Sequence, residues 1–199
     1  MSPRTDQQYE LIRENKKQLI MDTALRLFAN EGFHTTSISK IAKEANIAKG
    51  LIYNYFESKE DLLKEIFYKG MDELLGSFDE NRDGVLTDGE FEFMVHEIFR
   101  IIKEKTQYWK LYFAMLMQPS CLKLVGDKFY EKLMPIHQLM VDYFGRKGME
   151  EPELEARYFL PLLDGIAFHY LIDPDHYPLE GMKKLIINRF CRNHKNQSS

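Results

Sequence analysis

Residues 36–56 read TSISKIAKEANIAKGLIYNYF. Two short helices joined by a tight turn fit this stretch. Thr36 or Ser37 supplies an N-cap, because a side-chain oxygen there accepts a hydrogen bond from a free N–H of the first turn. Ile38, Ile41, Ala42 and Ala45 then recur at helical spacing. Ala42 is small where two helices must cross. Four residues on, Asn46 stands where the turn calls for positive φ, which Asn tolerates better than most residues but less well than Gly. Ile47 and Ile52 lock a second helix, 48–56, against the first. This is the spacing of a helix pair that reads DNA. The second helix presents Lys49, Gly50, Tyr53, Asn54 and Tyr55. A lysine meets phosphate or guanine, a glycine lets backbone approach closely, an asparagine pairs with adenine, and tyrosines reach phosphates or thymine methyls. The competing reading is an ordinary helical hairpin with solvated lysines.

The surrounding chain is helical throughout. A first helix over 9–30 places Ile20, Ala24, Leu27 and Phe28 on one face, with Gly32 just past its end. Ser58 caps a longer helix, and Asp61 is a shorter stand-in for the usual capping-box Glu. Leu62, Leu63, Ile66, Phe67, Leu74 and Leu75 stripe that helix. A helix over 89–105 carries Phe91, Met94, Val95, Ile98, Phe99 and Ile102 at regular spacing. Further helices fall at 107–117, 122–145, 153–172 and 179–192, punctuated by Pro119, Pro152, Pro174 and Pro178. The fold class is all-α, with a helix-turn-helix domain over 9–57 and a helical domain over 58–195.

Composition narrows the function classes. The chain has 199 residues, 44% of them hydrophobic, enough for a real core. A net charge of −4 excludes a polybasic nucleic-acid coat, so DNA binding must come from a local patch. Residues 36–59 hold Lys40, Lys43, Lys49 and Lys59 against Glu44 and Glu57, a modest local excess. Cys121 and Cys191 read as reduced thiols. No secretory signal is evident, and no apolar run reaches the ~18 residues that suggest a membrane span. A cytoplasmic location is expected. No nucleophile elbow, P-loop, zinc-protease or dinucleotide motif is present, so an enzyme is not expected.

The run GFHTTSISKIAKEANIAKGLIYNYFESKEDLL (32–63) resembles the DNA-binding domain of TetR-type transcriptional regulators. The first-helix ending LFANEGF, the IA of the second helix, the KG..Y.YF recognition helix and the trailing SKEDLL all match. The resemblance covers roughly residues 10–70. It implies DNA contacts at Thr36 and Ser37 near phosphate, at Lys49, Gly50, Tyr53, Asn54 and Tyr55 on the recognition helix, and at Lys59, aided by a helix N-terminus. Two departures stand out: Asn46 where the family usually has Gly, and Ala48 where a Ser often caps the recognition helix. The resemblance also implies a homodimer on a double-stranded operator, acting as a repressor released by a small-molecule effector. Its dimer seam would draw on Leu160, Leu163, Ala167, Leu171, Leu185, Ile186 and Phe190, which are otherwise simple core. An effector pocket is implied in the middle region, where Trp109, Tyr112, Phe113, Met134, His137 and His169 are candidates to line it.

One motif lies outside that resemblance. Residues 79–90 read DENRDGVLTDGE, matching D-x-[DN]-x-[DN]-G-x5-E. Asp79, Asn81 and Asp83 take positions 1, 3 and 5 of an EF-hand-like loop. Gly84 makes the sharp turn, Val85 offers a carbonyl, Thr87 stands at position 9, and Glu90 at position 12 can chelate with both oxygens. Ca2+ is the expected ion and Mg2+ its competitor. No second loop is present to pair with it. A metal-free acidic linker is the bland alternative. Calcium here would pin the junction between the fourth and fifth helices or, in the sharper form, regulate operator binding. The runner-up function is a calcium-binding helical interaction module or sensor that does not act on DNA.

Overall fold

The computed structural model describes residues 6–79 and 83–191. Among them every regular element is an α-helix: α1 (Asp6–Glu31), α2 (Ile38–Glu44), α3 (Lys49–Tyr53), α4 (Lys59–Leu75), α5 (Asp88–Glu104), α6 (Thr106–Leu116), α7 (Pro119–Arg146), α8 (Pro152–Ile172) and α9 (Leu179–Phe190). The chain forms two compact units. One runs to Lys69 and takes in Lys110–Leu124; the other is Gly70–Trp109 with the chain from Val125 onward.

The expected helices are present, with instructive differences at their ends. α1 starts at Asp6, three residues before the expected start at residue 9, and the recognition helix closes at Tyr53, so Asn54 and Tyr55 lie in the turn beyond it. Pro119 opens α7 instead of breaking it, since a first-turn residue needs no N–H partner. Pro135 and Pro161 stand inside α7 and α8, where each costs the helix a backbone hydrogen bond.

The first unit is built around Ile20, Ala24, Leu27, Phe28, Ile41, Ile52, Leu62, Leu63 and Phe67, all buried. Phe33 meets Phe28 edge-on at 5.2 Å, the geometry that ring quadrupoles favour. Tyr112 stacks on Phe67 at 6.1 Å.

In the second unit the whole α5 stripe from Phe91 to Ile102 is buried, as its period demands. An aromatic cluster closes one end. Phe91 stacks on Tyr143 at 4.7 Å, and Phe159 and Phe190 meet edge-on at 5.2 Å. Gly70 is required by a close approach: a Cβ there would lie 2.0 Å from the Tyr108 ring.

α8 presents a second apolar face outward. Leu154, Tyr158, Pro161, Gly165, Phe168 and Ile172 follow one another in alternating steps of four and three, the seam spacing of paired helices. All but half-buried Gly165 are exposed, and Leu185 on α9 is 58% exposed. Four residues expected at a dimer seam, Leu163, Ala167, Ile186 and Phe190, are instead core of the protomer. Leu160 and Leu171 are half-buried, and only Leu185 of that set stands free of the core.

Candidate nucleic-acid interface

Three devices shape the helix-turn-helix. Ser37 caps α2 by accepting from the Lys40 N–H at 3.2 Å. Asn46 sits at φ +52°, the left-handed conformation the turn needs. Ile47 N–H then donates back to the Ala42 carbonyl at 3.0 Å, closing the turn between α2 and α3. α3 has no side-chain cap, because Ala48 offers no acceptor. Ser58 accepts from the Asp61 N–H, and the Asp61 carboxylate accepts from the Glu57 N–H, one residue earlier than in a reciprocal capping box.

The reading surface follows. Lys49, Gly50, Tyr53 and Asn54 are exposed together, and Tyr55 is half-buried. Tyr53 is 51% exposed. A Cβ at Gly50 would meet nothing within 4 Å, so the fold itself leaves this position open. Of the four lysines over 36–59, Lys40 is paired with Glu31 and Lys59 is turned inward, while Lys43 and Lys49 are exposed.

Two of the expected contact residues have partners within the head. Thr36 is fully buried, and its Oγ1 donates to the Gly32 carbonyl at 2.9 Å, so its side chain does not face a phosphate. Lys59 Nζ donates to the carbonyls of Phe33 at 2.8 Å and Thr36 at 3.0 Å, with the Phe33 ring centroid 4.4 Å away. Sequence periodicity marks both as polar residues at helix starts and says nothing of partners distant in the chain.

A helix pair with this turn, this exposed face and this fourth helix is a known arrangement. Residues 20–66 match the model of the bacterial regulatory proteins, tetR family. The N-terminal head is similar to the DNA-binding domain of that family. The chain is 54% identical over 50 residues to the uncharacterized HTH-type transcriptional regulator YuxN of Bacillus subtilis, a match covering 25% of this chain and 17% of that protein. It is 26% identical over 176 residues to the regulator YhgD of the same organism, covering 83% of this chain and 88% of that one. The fold is that of the transcriptional regulator FadR from Bacillus subtilis, solved in complex with stearoyl-CoA. The TM-score is 0.71 at 18% identity, over 88% of this chain and 97% of that one. These relatives of the TetR-type head are transcriptional regulators, not enzymes. The family match ends at residue 66, before the 79–90 loop.

In that loop Asp79 Oδ2 accepts from the Gly84 N–H at 3.0 Å, and Gly84 has φ +75°. Asp79 Oδ1 is buried with no hydrogen-bond partner. Asp83 accepts from the Val85 N–H at 2.8 Å. Thr87 caps α5, and Glu90 closes a full capping box, accepting from the Thr87 N–H at 2.8 Å and from its hydroxyl at 2.7 Å. Glu90 thus has a structural role that the loop motif alone does not suggest. Asn81 lies outside the described residues. Among the described residues, no three His, Cys, Asp or Glu side chains converge as a metal site.

The six residues expected to line an effector pocket are divided between the two units. Trp109 is buried in the second unit, and Tyr112 is buried in the first with half-buried Phe113. Met134 is 60% exposed, and His169 is exposed and stacked on Tyr177. His137 is half-buried, 3.8 Å from Glu153. Exposure of Met134 and His169 argues against an enclosed pocket at those two positions in the protomer. No helix among the described residues is long and apolar enough to cross a membrane.

Proposed function

We propose that the chain is a dimeric transcriptional regulator that reads an operator through α3 and acts as a repressor released by a small molecule. The observation that carries this reading is the recognition face. Lys49, Gly50, Tyr53 and Asn54 are exposed together on the head, free of any core duty. Dimerisation is supported by the outward apolar stripe of α8 and by Leu185 on α9. A two-fold pair would offer its heads to successive major grooves, about 34–36 Å apart. A regulator of this fold, FadR, is solved in complex with stearoyl-CoA, which supports a small-molecule effector without naming this chain's own.

The test is duplex selection from a random-sequence library, followed by binding of the selected duplex to Lys49→Ala and Tyr53→Ala. Loss of binding in both supports the reading. Equal binding by wild type and both variants would sink it.

The calcium reading rests on a separate observation. The carboxylate at loop position 1 accepts from the glycine N–H at position 6, and its other oxygen is buried without a partner. A calcium ion takes six to eight oxygens, so Glu90 would have to leave Thr87 to join Asp79, Asp83, the Val85 carbonyl and Thr87 around it. Its role there is structural, pinning the segment between α4 and α5, with Mg2+ as competitor. Calorimetric titration of metal-stripped protein, with Glu90→Gln as control, tests this. No heat up to millimolar calcium makes the segment an acidic linker.

A further inference from the structure

His34 stands in the turn between α1 and α2, just ahead of the Ser37 cap. Cys121 lies in the first turn of α7. The two are far apart in the chain, yet both belong to the first compact unit. There the His34 Nε2 lies 3.9 Å from the Cys121 sulfur and 3.5 Å from the Ser120 hydroxyl oxygen. The same sulfur lies 3.7 Å from the Gln118 side-chain oxygen.

Hydrogen bonding accounts poorly for this grouping. The imidazole–hydroxyl spacing exceeds the roughly 2.7–3.2 Å of a good hydrogen bond, and a thiol is a weak donor and a weak acceptor. Metal coordination accounts for it better. With bonds of about 2.3 Å to sulfur and about 2.0 Å to nitrogen, one ion holds two such atoms roughly 3.5 Å apart in a tetrahedral shell and roughly 4.3 Å apart in a linear one. The observed 3.9 Å lies between these limits. The ring is also backed: buried Phe33 meets it edge-on at 5.3 Å. Cys121 is buried while His34 is exposed, so an ion approaches the sulfur from the imidazole side.

The donor set selects the ion. Thiol and imidazole meet here without a third His, Cys, Asp or Glu side chain among the described residues. Structural zinc takes four strong ligands, and calcium and magnesium take oxygens. Thiolate sulfur selects Cu(I), a soft ion that a pair of ligands satisfies.

We propose that Cys121 and His34 form a binding site for one Cu(I) ion per chain, which ties the first turn of α7 to the turn between α1 and α2. Loading is a ligand exchange in which no electron moves. The Cys121 thiol gives its proton to water, its sulfur and the His34 Nε2 each bond the ion, and the ion's carrier ligand leaves. Ser120 and Gln118 flank the pair and stay outside the bonds.

The experiment uses full-length, metal-stripped, reduced protein in the absence of oxygen. Cu(I) is supplied as its complex with a chromophoric chelator, and loss of that colour reports transfer. Wild type and Cys191→Ser should each withdraw one ion per chain. Cys121→Ser and His34→Ala, with folding checked by circular dichroism, should each lose affinity by at least about tenfold. No withdrawal by wild type, undiminished affinity in either ligand variant, loss of binding in Cys191→Ser, or one ion shared by two chains would overturn the proposal. If Cys121→Ser does not fold, X-ray absorption at the copper edge of the loaded wild type decides. A shell with both sulfur and nitrogen supports the site, and a shell without sulfur sinks it.

Discussion

The Lys147 ammonium donates to both oxygens of the Asp88 carboxylate, at 2.9 and 2.8 Å, and to the Cys191 carbonyl at 2.8 Å. One side chain near the end of α7 thus holds the first residue of α5 and the C-terminal cap of α9. Tyr143 acts beside it, its single O–H within reach of the Asp88 carboxylate at 3.0 Å and the Phe190 carbonyl at 3.2 Å. Arg146 adds a bond to the Leu86 carbonyl at 2.9 Å. The exit half of the 79–90 segment is therefore fastened to α7, and through it to α9.

Lys147→Met should destabilise the second unit by about 1–2 kcal/mol near neutral pH, because a mostly buried donor is lost from the Asp88 carboxylate and the Cys191 carbonyl. Burial raises the Asp88 carboxyl, but the hydrogen bonds from Lys147 and Tyr143 and the Lys147 charge outweigh it and leave it below the usual carboxylate range. A lowered carboxyl stabilises the folded state above its unfolded pKa and loses that contribution as pH falls through the folded value. The gap between wild type and variant should shrink on acidification below about pH 4, leaving the share due to the Cys191 carbonyl. Denaturant unfolding at pH 7 and pH 3 measures both; a gap that widens in acid contradicts the assignment.

Gly50→Ala separates folding from reading. The added methyl meets nothing in the protein, and alanine is a better helix former, so stability should hold or rise by up to ~1 kcal/mol. If α3 reads the operator as proposed, affinity for the selected duplex should fall at least tenfold, since the methyl would stand where DNA backbone or bases approach. A thermal melt and a binding isotherm on one preparation suffice, and undiminished binding would remove Gly50 from the interface.

Asn46 tests the turn. Its φ of +52° strains a β-branched residue, so Asn46→Val should cost ~1–2 kcal/mol, while Asn46→Gly should stay within ~0.5 kcal/mol of wild type. Equal stability of all three proteins in urea would mean the turn tolerates any residue.

The proposed dimer seam can be tested with a charge. Phe168 is 41% exposed in the protomer, so Phe168→Glu should leave helicity and the protomer fold unchanged. In a dimer sealed by the α8 stripe it would bury unpaired carboxylates, one from each copy. Sedimentation at micromolar concentration should then report dimer for wild type and monomer for the variant. A variant that remains dimeric moves the seam elsewhere.

Cys191 gives a chemical check on the same corner of the second unit. Burial, with the nearby Glu92 and Asp88 carboxylates, pushes its thiol up to about 11. Only a small fraction is thiolate at pH 8, so alkylation there should be slow and should accelerate steadily as pH rises toward that value. Rapid labelling at pH 8 in the folded protein would show a more open site.

Periodicity and local chemistry made much of this protein legible from its residues. The α5 stripe from Phe91 to Ile102, the left-handed turn at Asn46 and the exposed row from Lys49 to Asn54 depend on neighbours within a few positions, and each stands as its spacing implies. Tertiary structure decided what involved partners far apart in the chain. Lys59 looks like any lysine at a helix start until Phe33 and Thr36 arrive beneath it. Leu163, Ala167, Ile186 and Phe190 share hydrophobicity with Phe168 and Ile172, yet they form protomer core while the latter pair faces outward. Glu90 fits a metal loop and a capping box equally well by sequence, and folding turns it to Thr87. An amphipathic helix with two apolar faces carries no mark in its own residues of which face meets the protomer and which awaits a second chain. That is settled only when the other helices have packed.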